Sequence, residues 1–252
     1  MKNHFIMSYT GNKRNEVEEI YNVFKQQNNV QNIYELYCGS SALSFYISTQ
    51  EPLKYTYYLN DLCSNLIELY QTLKDTERFN IFINELRTIC VDMTKEKYLT
   101  YTKSKTFMGW FIKNKFHAQV TGLYKSITNE QYTCLIDKML LCPIINFLRT
   151  ENIIFMNRTA IPLYEEIKHE STNFIFLDPP YMTTDNSSYS HANCNIYEHL
   201  FYHKIHDEDA LIILALEYNW ITQLIFPNEK HLYEKNYAIT KRKTQHVIIK
   251  NK

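Results

Sequence analysis

The sequence has few glycines and no closely spaced cysteine pair. Only 4 of its 252 residues are glycine, so each glycine is a candidate for a tight turn or a close approach of the backbone to a ligand. The 6 cysteines are scattered and form no C-x-x-C pair, which argues against a zinc site and against a disulfide framework. We therefore expect reduced thiols in an intracellular compartment.

Long apolar runs are also missing. The longest run, residues 210–216, is far below the roughly 18 residues that a membrane-spanning helix needs. Residues 1–7 are followed at once by polar residues and lack the apolar core of a signal peptide. These absences predict a soluble protein with no membrane partner.

The chain carries no excess of charge of either sign. Its 27 basic and 27 acidic residues cancel, so any surface that binds phosphate groups must be local. With 45% hydrophobic and 21% charged residues, the composition is that of a globular protein. The length suits one α/β domain that carries an insertion.

Alternating strand and helix patterns predict the fold class. Helices are expected to start near Glu16, Ala42, Ser64, Ile161, Ile196 and Trp220. Strands are expected at residues 32–36, 55–59, 153–155, 173–177 and 211–215, with two late strands near 237–239 and 246–249. This alternation predicts a doubly wound, mostly parallel sheet formed by residues 1–77 and 150–252, with a smaller, mainly helical insertion at 78–149.

One apolar strand ends in a group of polar and aromatic residues. Residues 174–177 are followed by Asp178, Pro179, Pro180 and Tyr181, at the sheet edge where α/β proteins bind ligands. An exocyclic amine is a weak nucleophile, so an enzyme that methylates it must orient the amine and accept its hydrogens. The Asp178 carboxylate and the Pro179 carbonyl are two such acceptors, and Tyr181 can stack on a flipped base. The pattern favours an amino-group methyltransferase over a strand-ending turn with a surface aspartate.

A second strand is followed by a turn of small residues, Cys38, Gly39, Ser40 and Ser41. Alone, this pattern is equally typical of an ordinary strand-to-helix turn. Asp61 lies about 20 residues downstream at the end of the next predicted strand, where an acidic residue can hold ribose hydroxyls. Together the turn and Asp61 predict a nucleoside-containing cofactor.

Four ordered blocks of this sequence resemble the Dam-type DNA adenine-N6 methyltransferases. Residues 9–13 resemble the N-terminal cofactor segment of that family, and residues 35–44 resemble its glycine-rich cofactor loop. Asn60 and Asp61 with residues 65–70 resemble its ribose-binding stretch, and residues 178–181 match its catalytic tetrapeptide. The order and spacing agree over almost the whole chain.

The resemblance implies an activity and a set of site residues. The activity is the site-specific transfer of a methyl group from S-adenosylmethionine to N6 of adenine in double-stranded DNA, in the cytoplasm or another DNA-containing compartment of a cell or virus-infected host. The implied catalytic residues are Asp178, Pro179, Pro180 and Tyr181, and no metal is expected. The implied cofactor-binding residues are Tyr9, Gly11, Asn12, Lys13, Glu35, Leu36, Tyr37, Cys38, Gly39, Ser40, Asn60, Asp61 and Asp178.

The resemblance also implies roles for single residues. Tyr9 would pack near the cofactor adenine, and Asp61 would hold its ribose. Lys13 would form a hydrogen bond near the methionine end of the cofactor or near the catalytic loop. The family usually has a second glycine after the first in its cofactor loop, whereas this chain has Ser40, Ser41 and Ala42. That departure motivates one alternative, a catalytically silent DNA-binding homologue.

The central segment carries the local positive charge that the total hides. Its lysines are interleaved with aromatic residues, and Glu96 is the only acidic residue between Lys95 and Lys125. Such a surface suits DNA phosphates, although a solvated lysine-rich face fits the pattern equally well. Residues 109–116 faintly resemble the recognition hairpin of the family. The lysines are Lys95, Lys97, Lys103, Lys105, Lys113, Lys115 and Lys125.

Two further alternatives concern chemistry. The methylated amine could belong to cytosine N4, RNA or a protein glutamine, because all are planar, conjugated nitrogens. A histidine cluster follows the predicted catalytic residues, but its spacings match no zinc pattern, and surface histidines are the better interpretation. The histidines are His191, His199, His203 and His206.

Overall fold

The computed structural model describes residues 5–6, 13–91, 93–116, 128–180, 208–227, 232–237 and 242–251. In these ranges the strands are β1 Asn32–Glu35, β2 Thr56–Asn60, β3 Ile153–Met156, β4 Asn173–Leu177, β5 Leu211–Glu217, β6 Leu232–Tyr237 and β7 Arg242–Lys250. The helices are α1 Val17–Phe24, α2 Ala42–Gln50, α3 Ser64–Lys74, α4 Thr76–Cys90, α5 Lys95–Lys103, α6 Phe107–Phe116, α7 Asn129–Leu140, α8 Ile144–Leu148, α9 Ala160–Ile167 and α10 Trp220–Ile225.

The strands form one sheet in the order β3-β2-β1-β4-β5-β7-β6. The pairs β3–β2, β2–β1, β1–β4 and β4–β5 are parallel, and β7 is antiparallel to both β5 and β6. The first five positions follow the order of a doubly wound dinucleotide-binding sheet, in which the direction of winding reverses between β1 and β4. The predicted doubly wound, mostly parallel sheet is thus confirmed. The two late strands are present as β6 and β7, although β6 lies at Leu232–Tyr237, ahead of the predicted 237–239.

Both faces of the sheet are covered. Every residue of β4 and β5 is buried, as expected for central parallel strands. On one face, α9 and α10 contribute to an apolar cluster with Ile175 and Leu177. On the other face, α1 packs through Phe24, whose ring centroid lies 4.7 Å from that of Phe174. Successive side chains of β4 therefore pack against two separate helical layers, one on each face of the sheet.

The chain divides into two compact units. One unit comprises Lys13–Ser64 and Asn152–Lys252, and it contains all the strands named above. The other comprises Met1–Asn12 and Asn65–Glu151, and its described residues are helical apart from the connections. The segment predicted as an insertion, residues 78–149, falls inside this helical unit. In the described part of the chain, every helix is too short or too polar to cross a membrane.

The faint resemblance of residues 109–116 to a recognition hairpin is wrong, because these residues belong to helix α6. The apolar side chains of Met108, Phe111 and Ile112 are buried and recur at helical spacing. Aromatic residues interrupted by lysines obscured that period in the sequence. The prediction that the central segment is mainly helical is confirmed for its described residues, whereas the helix predicted near residue 196 lies outside them.

Gly109 allows α5 and α6 to approach closely. A Cβ atom at this position would lie 2.2 Å from the backbone oxygen of Tyr101 and 2.3 Å from Oγ of Ser104. Both distances are shorter than a Cβ tolerates, and the first contact is with backbone that cannot turn aside. The Ser104 hydroxyl is itself bonded to the Tyr101 oxygen at 2.6 Å. Glycine is therefore required by packing here.

We predict that Gly109→Ala destabilises the protein. Alanine is the better helix former, so propensity alone would raise stability, but the clash with Tyr101 should outweigh it and cost about 1–3 kcal/mol. Thermal unfolding followed by circular dichroism measures the change. Lys113→Ala, at an exposed position of the same helix, is the matched control. An alanine variant at 109 that is as stable as this control would contradict the packing argument.

Candidate active site

Three neighbouring strands end at one edge of the sheet, and each is followed by a polar site residue. Asp178 directly follows β4, the Gly39 turn follows β1, and Asp61 directly follows β2. The pairing of β1 with β2 and with β4 is parallel, so these residues share the carboxyl edge. The reversal point between β1 and β4 is where open α/β sheets bind ligands. The structure therefore brings the two predicted clusters to the expected place.

A buried ion pair joins the start of α1 to the end of β4. Lys13 Nζ donates to Asp178 Oδ1 at 2.5 Å, and the side chains of Lys13 and Asp178 are 5% and 15% exposed. A second carboxylate, Glu16, has its Oε2 atom 3.8 Å from the same ammonium group and is also buried. The Lys13 carbonyl accepts the amide hydrogens of Glu16 and Val17, which sets the lysine at the entrance to α1. Removing either member of a buried ion pair is costly because the other charge stays buried.

Glu16 was not among the residues expected from the sequence. Its spacing of three residues from Lys13 was an available signal, because side chains at this separation can meet in a helix-like turn, and both residues lie in the turn that precedes α1. From the sequence alone, however, a buried Lys13–Glu16 pair cannot be distinguished from an exposed ion pair on a helix surface.

The turn after β1 uses the left-handed backbone region twice. Gly39 has φ of 47° and Ser41 has φ of 48°. The Ser41 amide donates to the Cys38 carbonyl at 2.6 Å, which closes the turn. A side-chain-bearing residue in this region costs about 1–2 kcal/mol relative to glycine. Serine thus stands at a position that glycine would occupy without strain.

Asp61 connects this turn to the next strand. Its Oδ2 atom accepts the Gly39 amide hydrogen at 3.1 Å, and its Oδ1 atom accepts that of Cys63 at 2.9 Å. The Asn157 side chain donates to the Asp61 carbonyl at 2.7 Å. The carboxylate that the sequence predicted near a ribose thus holds the backbone of the turn at Gly39.

Asn60 is fully buried and ties three strand ends together. Its side-chain nitrogen donates to the carbonyls of Leu36 and Arg158 at 2.9 and 3.0 Å. Its side-chain oxygen accepts the Arg158 amide hydrogen at 2.9 Å. The ends of β1 and β3 are thereby fixed to the end of β2, which lies between them.

Glu35 ends β1 and is buried, with 2% of its surface exposed. Its Oε1 atom accepts the Ser44 amide hydrogen at 2.7 Å. Burial raises the pKa of Glu35 to about 7, hydrogen bonds from Ser44 lower it by a smaller amount, and the charge of Asp178 raises it further. The dependence on Asp178 reflects the closeness of the two carboxyl groups across adjacent strands.

The remaining predicted site residues divide by burial. Leu36 and Pro179 are buried, and Tyr37 and Pro180 are half-buried. Cys38 is buried beneath the turn, and burial raises the pKa of its thiol, with smaller contributions from Asp61 and Glu35. Ser40 is also buried. Four predicted site residues lie outside the described part of the chain: Tyr9, Gly11, Asn12 and Tyr181.

Within the described residues, no group of three or more histidine, cysteine, aspartate or glutamate side chains is arranged to hold a metal ion. The histidines at 191, 199, 203 and 206 lie outside these residues. The chemistry of the described edge is that of carboxylates, backbone amides and one ammonium group.

Comparison with known proteins gave a family match. The model of the family described as D12 class N6 adenine-specific DNA methyltransferase matches residues 9–160. No curated protein matches the chain. Among solved structures, the rRNA methyltransferase aviRa from Streptomyces viridochromogenes is similar with a TM-score of 0.37 and 9% identity, covering 99% of this chain and 90% of that one.

We predict that the stability of the Glu35→Gln variant varies less with pH than the stability of the wild type. The pKa of Glu35 is about 7 in the folded protein, against 4.5 as its ordinary value, so the folded state binds this proton more tightly. The contribution of Glu35 is therefore favourable at low pH and is lost as pH rises towards and through about 7. Glutamine does not titrate. Between about pH 4.5 and pH 8 the free energy of unfolding of the wild type should therefore fall by up to about 3 kcal/mol relative to that of the variant.

The measurement is denaturant unfolding of both proteins across that pH range. Glu85→Gln, at an exposed glutamate of α4, provides a control with the same chemical change. If the free energies of unfolding of wild type and Glu35→Gln differ by the same amount at every pH, burial does not raise the pKa of Glu35.

Proposed function

The chain belongs to the D12 class N6 adenine-specific DNA methyltransferase family, and we propose that methyl transfer takes place at the sheet edge beyond β1, β2 and β4. The family methylates N6 of adenine in DNA and uses S-adenosylmethionine. The matched residues 9–160 include Lys13, Gly39 and Asp61 but end before Asp178. The ion pair between Lys13 and Asp178 is the observation that carries the proposal, because it links the matched residues to the predicted catalytic carboxylate.

The residues at this edge fit the proposed cofactor. A carboxylate oxygen can accept more than one hydrogen bond, so Asp61 can hold the turn and still accept ribose hydroxyls. The left-handed Gly39 lacks a side chain where the backbone would approach the ligand. Negative charge at Asp178 favours a cationic sulfonium group nearby. We propose that Tyr37, Gly39, Ser40 and Asp61 line the cofactor, whereas Leu36, Cys38 and Asn60 support them from beneath.

S-adenosylmethionine, when bound, supplies a methyl group activated by its sulfonium charge. The Asp178 carboxylate and the Pro179 carbonyl orient the adenine amine by accepting hydrogen bonds from its two N–H groups. The nitrogen releases one of these protons when it gains the methyl group, and the Asp178 carboxylate is the base placed to take it. Lys13, at 2.5 Å, stabilises the ionised form of Asp178, which can accept hydrogen bonds but not donate them. Consecutive prolines restrict the backbone that carries the accepting carbonyl. Positioning and electrostatics, rather than covalent catalysis, provide the acceleration in this proposal.

The proposed substrate is double-stranded DNA with the target adenine rotated out of the helix. A base inside a duplex cannot expose its amine to a buried edge, so it must leave the stack before it meets Asp178. Tyr181, which directly follows the prolines, is proposed to stack on it. An enzyme with this substrate acts where DNA is present.

Helices α5 and α6 are proposed to contact DNA as part of a recognition domain at residues 78–149. Lys95, Lys97, Lys103, Lys105 and Lys113 are exposed. Lys115 is different, because its ammonium group donates to the Ile6 carbonyl and burial lowers its pKa to about 8. We therefore assign phosphate contact to the exposed lysines and an internal structural role to Lys115.

We predict that Asp178→Asn reduces methyl transfer by at least about 100-fold and weakens adenosylmethionine binding by a smaller factor, because one negative charge near the sulfonium is removed. The amide cannot provide two acceptor oxygens, and it loses the charge that pairs with Lys13. Asp178→Ala should reduce transfer at least as much. The assay transfers a labelled methyl group to double-stranded DNA and identifies the modified base, and calorimetry measures cofactor affinity.

Asp209→Asn, at an exposed aspartate of the same unit, is the matched control and should behave as wild type. Near-normal turnover of the Asp178 variants would reject this carboxylate as catalytic. Methylated cytosine or RNA in place of N6-methyladenine would reject the substrate.

We predict that the double variant Lys103→Gln with Lys113→Gln binds DNA more weakly, and about equally so for all sequences. Each lost phosphate contact should reduce the slope of log affinity against log salt by about 1. Fluorescence anisotropy with duplex DNA at several salt concentrations tests this. Lys25→Gln with Lys54→Gln removes the same charge from exposed positions outside the proposed surface. An unchanged salt slope for the first pair would rule out phosphate contact by these lysines.

A further inference from the structure

Glu35 is buried, and its carboxylate is hydrogen-bonded to the first turn of α2, the helix that follows the proposed cofactor turn. The carboxylate reaches across nine residues to accept the Ser44 amide hydrogen at 2.7 Å. We infer that Glu35 is a positioning residue rather than a cofactor ligand, and that its bond to Ser44 holds the start of α2 and the Gly39–Ser41 turn in their binding shape. This inference rests on the proposed function, because the turn is the surface on which the cofactor is proposed to lie.

Helix α2 needs an acceptor at its start. The first amide groups of a helix have no partner within the helix and are usually capped by a side chain. Ser41 occupies the capping position but makes no side-chain cap bond, and the first turn of α2 contains no acidic residue. Glu35 supplies both the missing acceptor and a negative charge at the positive end of the helix dipole.

The turn is thereby anchored by two carboxylates from neighbouring strands. Glu35, the last residue of β1, holds Ser44, and Asp61, just beyond β2, holds Gly39 at 3.1 Å. Because β1 and β2 pair in parallel, both anchors start from the same sheet edge. A left-handed serine persists only where surrounding contacts determine the backbone. The two anchors provide that constraint on either side of Ser41.

Burial separates the roles of the two anchors. Glu35 is 2% exposed, whereas Asp61 is partly exposed. A carboxylate within the protein and already bonded to α2 acts on a ligand through the turn above it. Asp61 can contact the ligand directly as well as hold the turn.

The titratable groups that act on Glu35 come from several elements. Asp178, after β4, raises its pKa, while Glu35 in turn raises the pKa of Cys38 in the turn and of Tyr57 in β2. Lys13 pairs with Asp178. Protonation of Glu35 removes its charge from the start of α2 and weakens the bond to Ser44, so cofactor affinity in the wild type should fall as the pH is lowered through about 7.

The test compares Glu35→Gln, which keeps an acceptor oxygen, with Glu35→Met, which has similar length and none. Calorimetry measures adenosylmethionine affinity at pH 6 and 8 (roughly one unit on either side of the Glu35 pKa), and kinetics separate KM for the cofactor, KM for DNA and kcat. We expect Glu35→Gln to bind within about threefold of wild type with no step near pH 7, and Glu35→Met to bind at least about tenfold more weakly. KM for DNA should not change in either variant.

Several outcomes overturn the inference. Normal cofactor affinity in Glu35→Met means that the bond to Ser44 does not shape the turn. Equal losses in both variants mean that cofactor binding requires the charge of Glu35 rather than an acceptor for the Ser44 amide. If Glu35→Met does not fold, the test becomes the pH dependence of cofactor affinity in wild type and Glu35→Gln. A wild-type affinity that changes with pH no more than that of Glu35→Gln rejects the positioning role of Glu35. Failure of the wild-type chain to bind adenosylmethionine at all refutes the proposed function instead.

Discussion

The parallel pairing of β1 with both β2 and β4 is the constraint on which the site depends. It sets Glu35, the residues after β2 and the residues after β4 at one edge, with Glu35 opposite Leu59 and Phe176 in the two ladders. A shift of either register by one residue would turn Glu35 or Asp178 towards the other face of the sheet. The complete burial of β4 makes such a shift costly, because all five of its residues are packed. Core packing therefore determines the geometry of the edge.

Besides Glu16, which lies 3.8 Å from the Lys13 ammonium group, three carboxylates close to this edge would repel one another without compensation. Each has a defined donor: Ser44 for Glu35, Gly39 and Cys63 for Asp61, and Lys13 for Asp178. Backbone amides neutralise little charge, so the ammonium group of Lys13 provides most of the compensating positive charge. What remains is a negatively polarised edge, which suits the cationic sulfonium of the proposed cofactor. Charge and fold thus favour the same ligand.

The sequence was sufficient where a pattern is local. The alternation of strands and helices predicted β4 at its observed bounds, and the apolar strand before Asp178 predicted the edge at which it lies. Chain order, however, cannot show which carboxylate is buried. Glu35 and Asp61 both follow predicted strands, yet one is enclosed and the other is partly exposed, a difference that depends on the path of the turn between β1 and α2. The Glu35–Ser44 bond is therefore a product of the fold.

The central segment shows a different limit. Lys113 and Lys115 are two residues apart in one helix and look equivalent in sequence, but the first is exposed and the second donates to the Ile6 carbonyl. Their difference depends on a partner more than 100 residues away along the chain. Lysine spacing alone therefore overstates the surface available to phosphate groups.

The neutral total of the chain conceals opposite local charges. The carboxylate-rich edge would repel the phosphate groups of DNA, so attraction to the duplex must come from other residues. The exposed lysines on α5 and α6 are the proposed source of this attraction, and a single acidic residue, Glu96, lies among them. An enzyme that binds a cationic cofactor and a polyanionic substrate needs a negatively charged region for the first and a positively charged region for the second. The charges of two such regions cancel in the total, as the equal numbers of basic and acidic residues show. The net charge is thus uninformative because the two proposed ligands have opposite charge.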